Sequence, residues 1–320
     1  AMDVARYGDW ATPAYTHAKV VENYGRRFRV RFPNEELKAA RPLRTTPLYH
    51  RWLGLGAVMG DAWGLEAPLW FSKDGTEDVF SFHRSTDFSS VKHEVMAVRT
   101  GVGIAEISSF AKYKISGSDA GAWLSNILAN RLPAQGRMTL APMLNARGKL
   151  IGDFTLAHCT DGTFMLFGAG AAEKYHLRWF EQNRPPHADI EIKACGLDLV
   201  GLAIAGPRAR ALLQQVTDAD VSSQAFKFME FRTDIAIGPT PVQIGRLSFT
   251  GETGFEIWMK PEHLIGVFER LWEAGAPDHL TPFGSRALLA LAREKSFGTW
   301  AREYRPIYSP FEAGLERFVD

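Results

Sequence analysis

Apolar and polar residues alternate with a two-residue period through much of this chain. Residues 110–115, 140–144, 150–157, 163–167, 190–193 and 198–205 therefore read as strands, and residues 226–237 and 242–259 are mostly strand. Between them run helical patterns. Ser118 and Asp119 precede a helix to about residue 129, with Trp123, Leu124, Ile127 and Leu128 on one face. Further helices are predicted over 171–182, from Gly206-Pro207, from Pro261 to about 273, and over 285–297. Asn145 to Gly148 and Asp161-Gly162 supply turn chemistry between strands. Hairpins mixed with helices predict an α+β fold rather than a doubly wound parallel sheet.

The first 70 residues differ. They are rich in Arg, Trp, Tyr and Pro and have few long periodic segments. Such a region needs another surface to pack on. Arg26, Arg27, Arg29 and Arg31 are expected on a solvated strand face or at a protein–protein contact. Residues 72–92 read as a polar connection.

Composition narrows the class. A length of 320 residues allows roughly two domains with a sizeable core. A net charge of +1 gives no global reason to expect nucleic acid or a membrane as partner. No apolar run approaches a membrane span, and the polar, charged first residues do not read as a secretory signal. A soluble cytoplasmic protein is expected. Cys159 and Cys195 have no metal-ligand spacing around them, so they are expected to be buried, reduced thiols, and no metal site is expected. His83 and His93 are read as surface or packing residues, and Glu294 with Lys295 as a simple ion pair. No Gly-x-Gly-x-x-Gly follows a strand, so no dinucleotide cradle is visible.

Three segments carry candidate chemistry. Residues 246–259 (RLSFTGETGFEIWM) start as an alternating strand, break at Thr250-Gly251-Glu252, and resume after Gly254 with Glu256 between Phe255 and Ile257. Residues 140–157 (LAPMLNARGKLIGDFTLA) place Asp153 in a strand, on the side of Ile151 and Thr155. Residues 284–297 (GSRALLALAREKSF) place Arg286 at the start of a helix. From the residues alone, Glu256 has either a solvent face or a polar partner, and Asp153 is either an acid on the solvent face or a partly buried carboxylate aimed into a cavity. Arg286 is either a binding residue or a helix-surface cation paired with an acid such as Asp278.

In this order and spacing the three segments resemble the folate-binding core of the glycine-cleavage T-protein (aminomethyltransferase) family, from about Val91 to Asp320. Residues 24–28 (YGRRF), 33–36 (PNEE), 41–49 (RPLRTTPLY), 56–60 (GAVMG) and 66–71 (EAPLWF) are similar to the segment joining flavin and folate halves in sarcosine and dimethylglycine dehydrogenases. The resemblance implies three parts: a linking segment over 1–71, a connection over 72–92, and a tetrahydrofolate-binding domain over 93–320. It also implies a flavin half, with FAD bound only in the full-length enzyme, and a final β-barrel domain; neither is visible here.

The implied roles are specific. Asp153 would be the catalytic acid beside the folate amines, taking a proton as an amine attacks an iminium carbon. Glu256 would accept the paired donors of a pterin ring, and the guanidinium fork of Arg286 would meet the pterin's acceptor edge or a carboxylate. Phe249 stands where the family often has Tyr, so its ring can pack on a flat ligand without a hydroxyl. Leu140, Phe110 and Met165 match cavity-lining positions, although each is an ordinary core residue by itself. The implied partners are folate and a small N-methyl amine or its iminium. Two other functions stay open: a stand-alone aminomethyltransferase or demethylase, and a non-catalytic assembly module.

Overall fold

A computed structural model describes residues 8–300 and 302–320. The reading of the extreme N-terminus, residues 1–7, lies outside them. Residues 8–71 contribute helix α1 (Pro13–Gly25), helix α2 (Tyr49–Gly54) and the hairpin β1 (Ala57–Ala62) and β2 (Leu65–Phe71). Helix α3 (Phe88–Thr100) then leads into β3 (Gly103–Glu106), β4 (Ala111–Ser116), α4 (Ala120–Ile127), β5 (Arg137–Leu144), β6 (Leu150–His158), β7 (Phe164–Gly168), α5 (Glu173–Gln182) and β8 (Glu191–Ala194). The remainder is β9 (Val200–Ala205), α6 (Ala209–Val216), β10 (Phe231–Ile237), β11 (Thr240–Gly245), β12 (Gly254–Met259), α7 (Leu264–Gly275), β13 (Thr281–Pro282) and α8 (Ser285–Glu294).

The strands form the β1–β2 pair, a six-stranded sheet in the order β10-β11-β12-β9-β3-β13, and a five-stranded sheet in the order β5-β6-β7-β4-β8. Among the described strand pairs, only the short β13–β3 pair is parallel. The α+β class expected from the hairpin pattern is what folds.

The two larger sheets stack. Helices α6 and α7 cover the outer face of the six-stranded sheet, with Leu212, Leu213, Val267, Phe268 and Leu271 packed against Val200, Leu202, Ile204, Phe255 and Ile257. Helices α4 and α5 cover the outer face of the five-stranded sheet through Trp123, Leu124 and Phe180. The inner faces meet in a third cluster: Ile107, Met138, Ala157, Met165, Phe167, Phe231 and Trp258. Strand alternation explains the split: Phe255 and Ile257 point outward, so Glu256 and Trp258 point inward.

Several local expectations need correction. The stretch from Arg246 to Phe249 is not strand. The chain leaves β11 at Gly245, where the backbone of Arg246 pairs with Met229 and Glu230 instead, and Phe249 sits on the loop that follows. Residues 226–230 likewise lie outside any strand, with Met229 at φ 60° and Glu230 in an isolated bridge to Arg137. The arginines after α1 lie in turns, where Arg26 and Arg29 pair with Glu35 and Arg31 with Asn23. Glu294 pairs with Arg99 rather than with Lys295. Cys159 is buried, but Cys195 is only half-buried, at the start of a short 3-10 turn.

Candidate functional site

Glu256 lies on β12 between Ala203 of β9 and Gly245 of β11. Both neighbours are small, so the sheet has a hollow beside the carboxyl. Glu256 is 7% exposed, and among the described residues no donor reaches its carboxylate. Burial pushes this carboxyl up to about 8. The hollow is walled by Ile107, Phe110, Leu247, Phe249, Phe283 and Leu288. It is small, about 10 Å³, which is room for one water. Phe249 stacks on Phe297 at its mouth, with ring centroids 6.0 Å apart.

The loop that carries Phe249 is built by short side chains. Ser248 and Thr250 share a hydroxyl–hydroxyl hydrogen bond of 2.6 Å, and the Glu252 backbone N–H donates to Thr250 Oγ1 at 3.2 Å. Gly251 turns the chain at φ +76°, in the left-handed region. A Cβ at Gly254 would fall 2.6 Å from Ser248 Cβ, so the return into β12 needs glycine.

Asp153 is half-buried on β6, opposite Pro142 of β5. Its orientation depends on a β-bulge. Met143 pairs with Gly152 and Leu144 with Leu150, leaving Ile151 as an extra residue. Ile151 therefore packs outward with Phe154 and Leu156, against the expectation that it shares a face with Asp153. Leu150 packs against Tyr304 and Leu315 of the C-terminal segment, and the Asp153 charge is felt at Tyr304. Further along the same face, Ala157 enters the layer between the sheets. Burial pushes the Asp153 carboxyl up to about 7. Asp153 and Glu256 thus project from facing sheets into one layer, although Asp153 is not among the residues lining the hollow.

The remaining predicted residues divide. Phe110 and Phe249 join Glu256 at the hollow. Met165 is core, packed with Phe167 and Trp258, and Leu140 packs near Leu150 and Tyr304. Arg286 does not reach the hollow. Its guanidinium is committed to Asp87 at 2.6 Å and Asp78 at 2.7 Å, and the cavity-facing residue of α8 is Leu288. Asp278, its expected alternative partner, pairs with Arg208. The polar connection over 72–92 is what captures the arginine, and sequence separation concealed that.

Sequence reasoning also missed Lys112. It is 1% exposed on β4, donates to the Ser108 carbonyl at 2.7 Å, and holds its ammonium 5.7 Å from the ring centroid of Trp258. A lysine between Ala111 and Tyr113 in an alternating strand gives no sign of burial. Another cavity, about 890 Å³, lies between residues 34–59 and residues 69–80, and its wall mixes Glu36 and Asp78, a partner of Arg286, with Arg41 and Lys73. Its size does not outweigh the unpartnered carboxyl of Glu256.

No group of three or more His, Cys, Asp or Glu residues among those described is arranged to hold a metal, and no described helix is long and apolar enough to cross a membrane. Residues 48–320 match the GCVT N-terminal domain family, and residues 1–46 match the FAD dependent oxidoreductase central domain. The chain is 36% identical to the mitochondrial dimethylglycine dehydrogenase of Rattus norvegicus over 321 residues, covering 99% of this chain and 37% of that protein. It is 29% identical to the mitochondrial sarcosine dehydrogenase of Homo sapiens over 360 residues, covering 98% of this chain and 39% of that protein. The fold matches the crystal structure of glycine cleavage system aminomethyltransferase T from Bartonella henselae, with a TM-score of 0.71 and 23% identity over 87% of this chain and 69% of that one. The chain therefore spans little more than a third of the length of the dehydrogenases it matches. With its family match running from residue 48 to residue 320, it belongs to the GCVT N-terminal domain family.

Proposed function

We propose that this chain binds tetrahydrofolate and captures a one-carbon unit from an N-methyl amine of the sarcosine or dimethylglycine type. One observation carries the reading: the Glu256 carboxyl is buried, has no donor among the described residues, and faces a hollow walled by aromatic rings. Leaving such a group unpaired is costly, and a flat heterocycle with two adjacent N–H donors would relieve that cost. Asp153, facing the same layer, is held near neutrality and can accept the proton lost as a folate amine attacks an iminium carbon. Entry of the ring requires Phe249 and its loop to move away from Phe297. Oxidation of the amine belongs to a flavin. Residues 1–46 offer no glycine-rich phosphate cradle, so this chain's own contribution is the capture step.

The test is titration with 5-formyltetrahydrofolate, followed by tryptophan fluorescence. Saturable binding that weakens at least tenfold in Glu256→Ala, and by less than about threefold in Asp153→Asn, supports the reading. Equal binding by Glu256→Ala would remove it. A second reading, a non-catalytic assembly module, draws on the small size of the hollow and predicts no binding at all.

A further inference from the structure

Beside Phe110 lies a second cavity, of about 60 Å³, with room for a few waters or one small organic ion. Phe110 lines both this cavity and the Glu256 hollow, so the two share a wall residue. Among the described residues, the charged ones around the second cavity are Arg44, Lys112, Lys174 and Glu173, three cations against one acid.

Two of the cations are poorly neutralised. Lys112 is almost fully buried, yet its one hydrogen-bond acceptor is the Ser108 carbonyl, and no carboxylate among the described residues is within ion-pair distance. Glu106 acts on it only from a distance, because its two oxygens already accept from Ser108, Trp52 and Thr46. Arg44 donates Nη2 to the Trp63 carbonyl and lies over the Trp10 ring, but its Nε is buried without an acceptor among the described residues. Glu173 and Cys195 also act on Lys112, and Glu173, Asp61 and Tyr15 on Arg44, all at long range. A buried ammonium without a counter-ion is a large electrostatic cost that a bound anion would offset.

We propose that this cavity is a binding site for a small carboxylate, held by Lys112, Arg44 and Lys174, with Phe110 as the wall residue it shares with the Glu256 hollow. Resting on the one-carbon capture reading, the carboxylate is that of the N-methylglycine-type amine or iminium. A bound carboxylate would anchor the molecule while its nitrogen end points past Phe110 to the folate hollow. Lys112 and Arg44 act here as binding residues; no bond is made or broken at either. The glutamate tail of folate carries the same chemistry and is the other source of a carboxylate.

Calorimetric titration with N,N-dimethylglycine and with N,N-dimethylglycinamide tests the site. The carboxylate should bind, and the amide should bind at least tenfold more weakly. Burial holds the Lys112 ammonium down to about 8, and a bound carboxylate would raise it. Binding at pH 8 should therefore take up a fraction of a proton, seen as a dependence of the heat on buffer ionisation. Lys112→Met should lose both the affinity, tenfold or more, and the proton uptake. Lys174→Ala, a change at a half-buried position, should weaken binding about threefold and keeps the test open if Lys112→Met does not fold. Equal binding of acid and amide, or unchanged affinity in both variants, overturns the proposal. Glu256→Gln separates the two readings: it should impair folate binding and leave dimethylglycine binding intact. Competition by 5-formyltetrahydrofolate, but not by 6-methyltetrahydropterin, would assign the site to the folate tail rather than to the amine.

Discussion

Phe167 and Trp258 stack face to face, with centroids 4.8 Å apart and planes 25° from parallel, and this pair joins the five-stranded sheet to the six-stranded one. The stack depends on a glycine. A Cβ at Gly201, opposite Trp258 on β9, would lie 2.5 Å from the indole. Gly201→Val should displace the indole and cost about 1–3 kcal/mol. Urea denaturation would measure the loss. Trp258→Ala should cost more, about 3–5 kcal/mol, because it empties the layer between the sheets.

Folate affinity should depend on pH through Glu256. Its carboxyl is pushed up to about 8 when no ligand is bound. Ligand N–H donors favour the ionised form, so binding lowers that value and releases a proton. Affinity should then rise between pH 6 and pH 8 and level off above 8. Titrations across this range check it, and Glu256→Gln should flatten the profile. A wild-type affinity independent of pH would rule out this carboxyl as the acceptor.

Both site acids should lower stability as pH rises. A carboxyl whose folded value lies above its unfolded value binds a proton more tightly in the native state, so the native state loses ground between the two values. For Asp153 that window runs from about 4 to about 7, and for Glu256 from about 4.5 to about 8. Asp153→Asn and Glu256→Gln should each be more stable than the parent at pH 8, by about 1–3 kcal/mol, and equal to it near pH 4. Thermal melts at the two pH values would show the difference.

Arg286 should matter for stability rather than for binding. Arg286→Ala leaves Asp78 and Asp87 facing each other with 13% and 6% side-chain exposure and no cation between them. The expected cost is about 2–4 kcal/mol. Folate affinity of the folded variant should stay within about threefold, which the fluorescence titration reads directly.

The sequence disclosed the strands around Glu256 and Asp153 because alternation and glycine placement are local signals. Glu256 between Phe255 and Ile257 could only face inward or outward, and the packing of Phe255 and Ile257 under α6 and α7 settled it. Asp153 was harder. The Ile151 bulge breaks the two-residue count that assigns faces, and the bulge exists only in the pairing with β5. Arg286 and Lys112 were beyond local reading. The partners of Arg286 stand about 200 residues upstream, and the burial of Lys112 arises where Trp258 of the opposite sheet meets β4.

The Glu106 carboxylate accepts hydrogen bonds from Thr46 and Trp52 and from Ser108 beside it. Glu94 does the same at another seam, accepting from the backbone N–H groups of Phe71 and Gly284. Dissection of the polypeptide anywhere between residues 46 and 71 would therefore expose acids whose donors come from the other side of the cut. For anyone recombining pieces of such proteins, the natural joint is set by where the buried acids find their donors, and here residues 46–71 and the β3 to α8 body have to be inherited together.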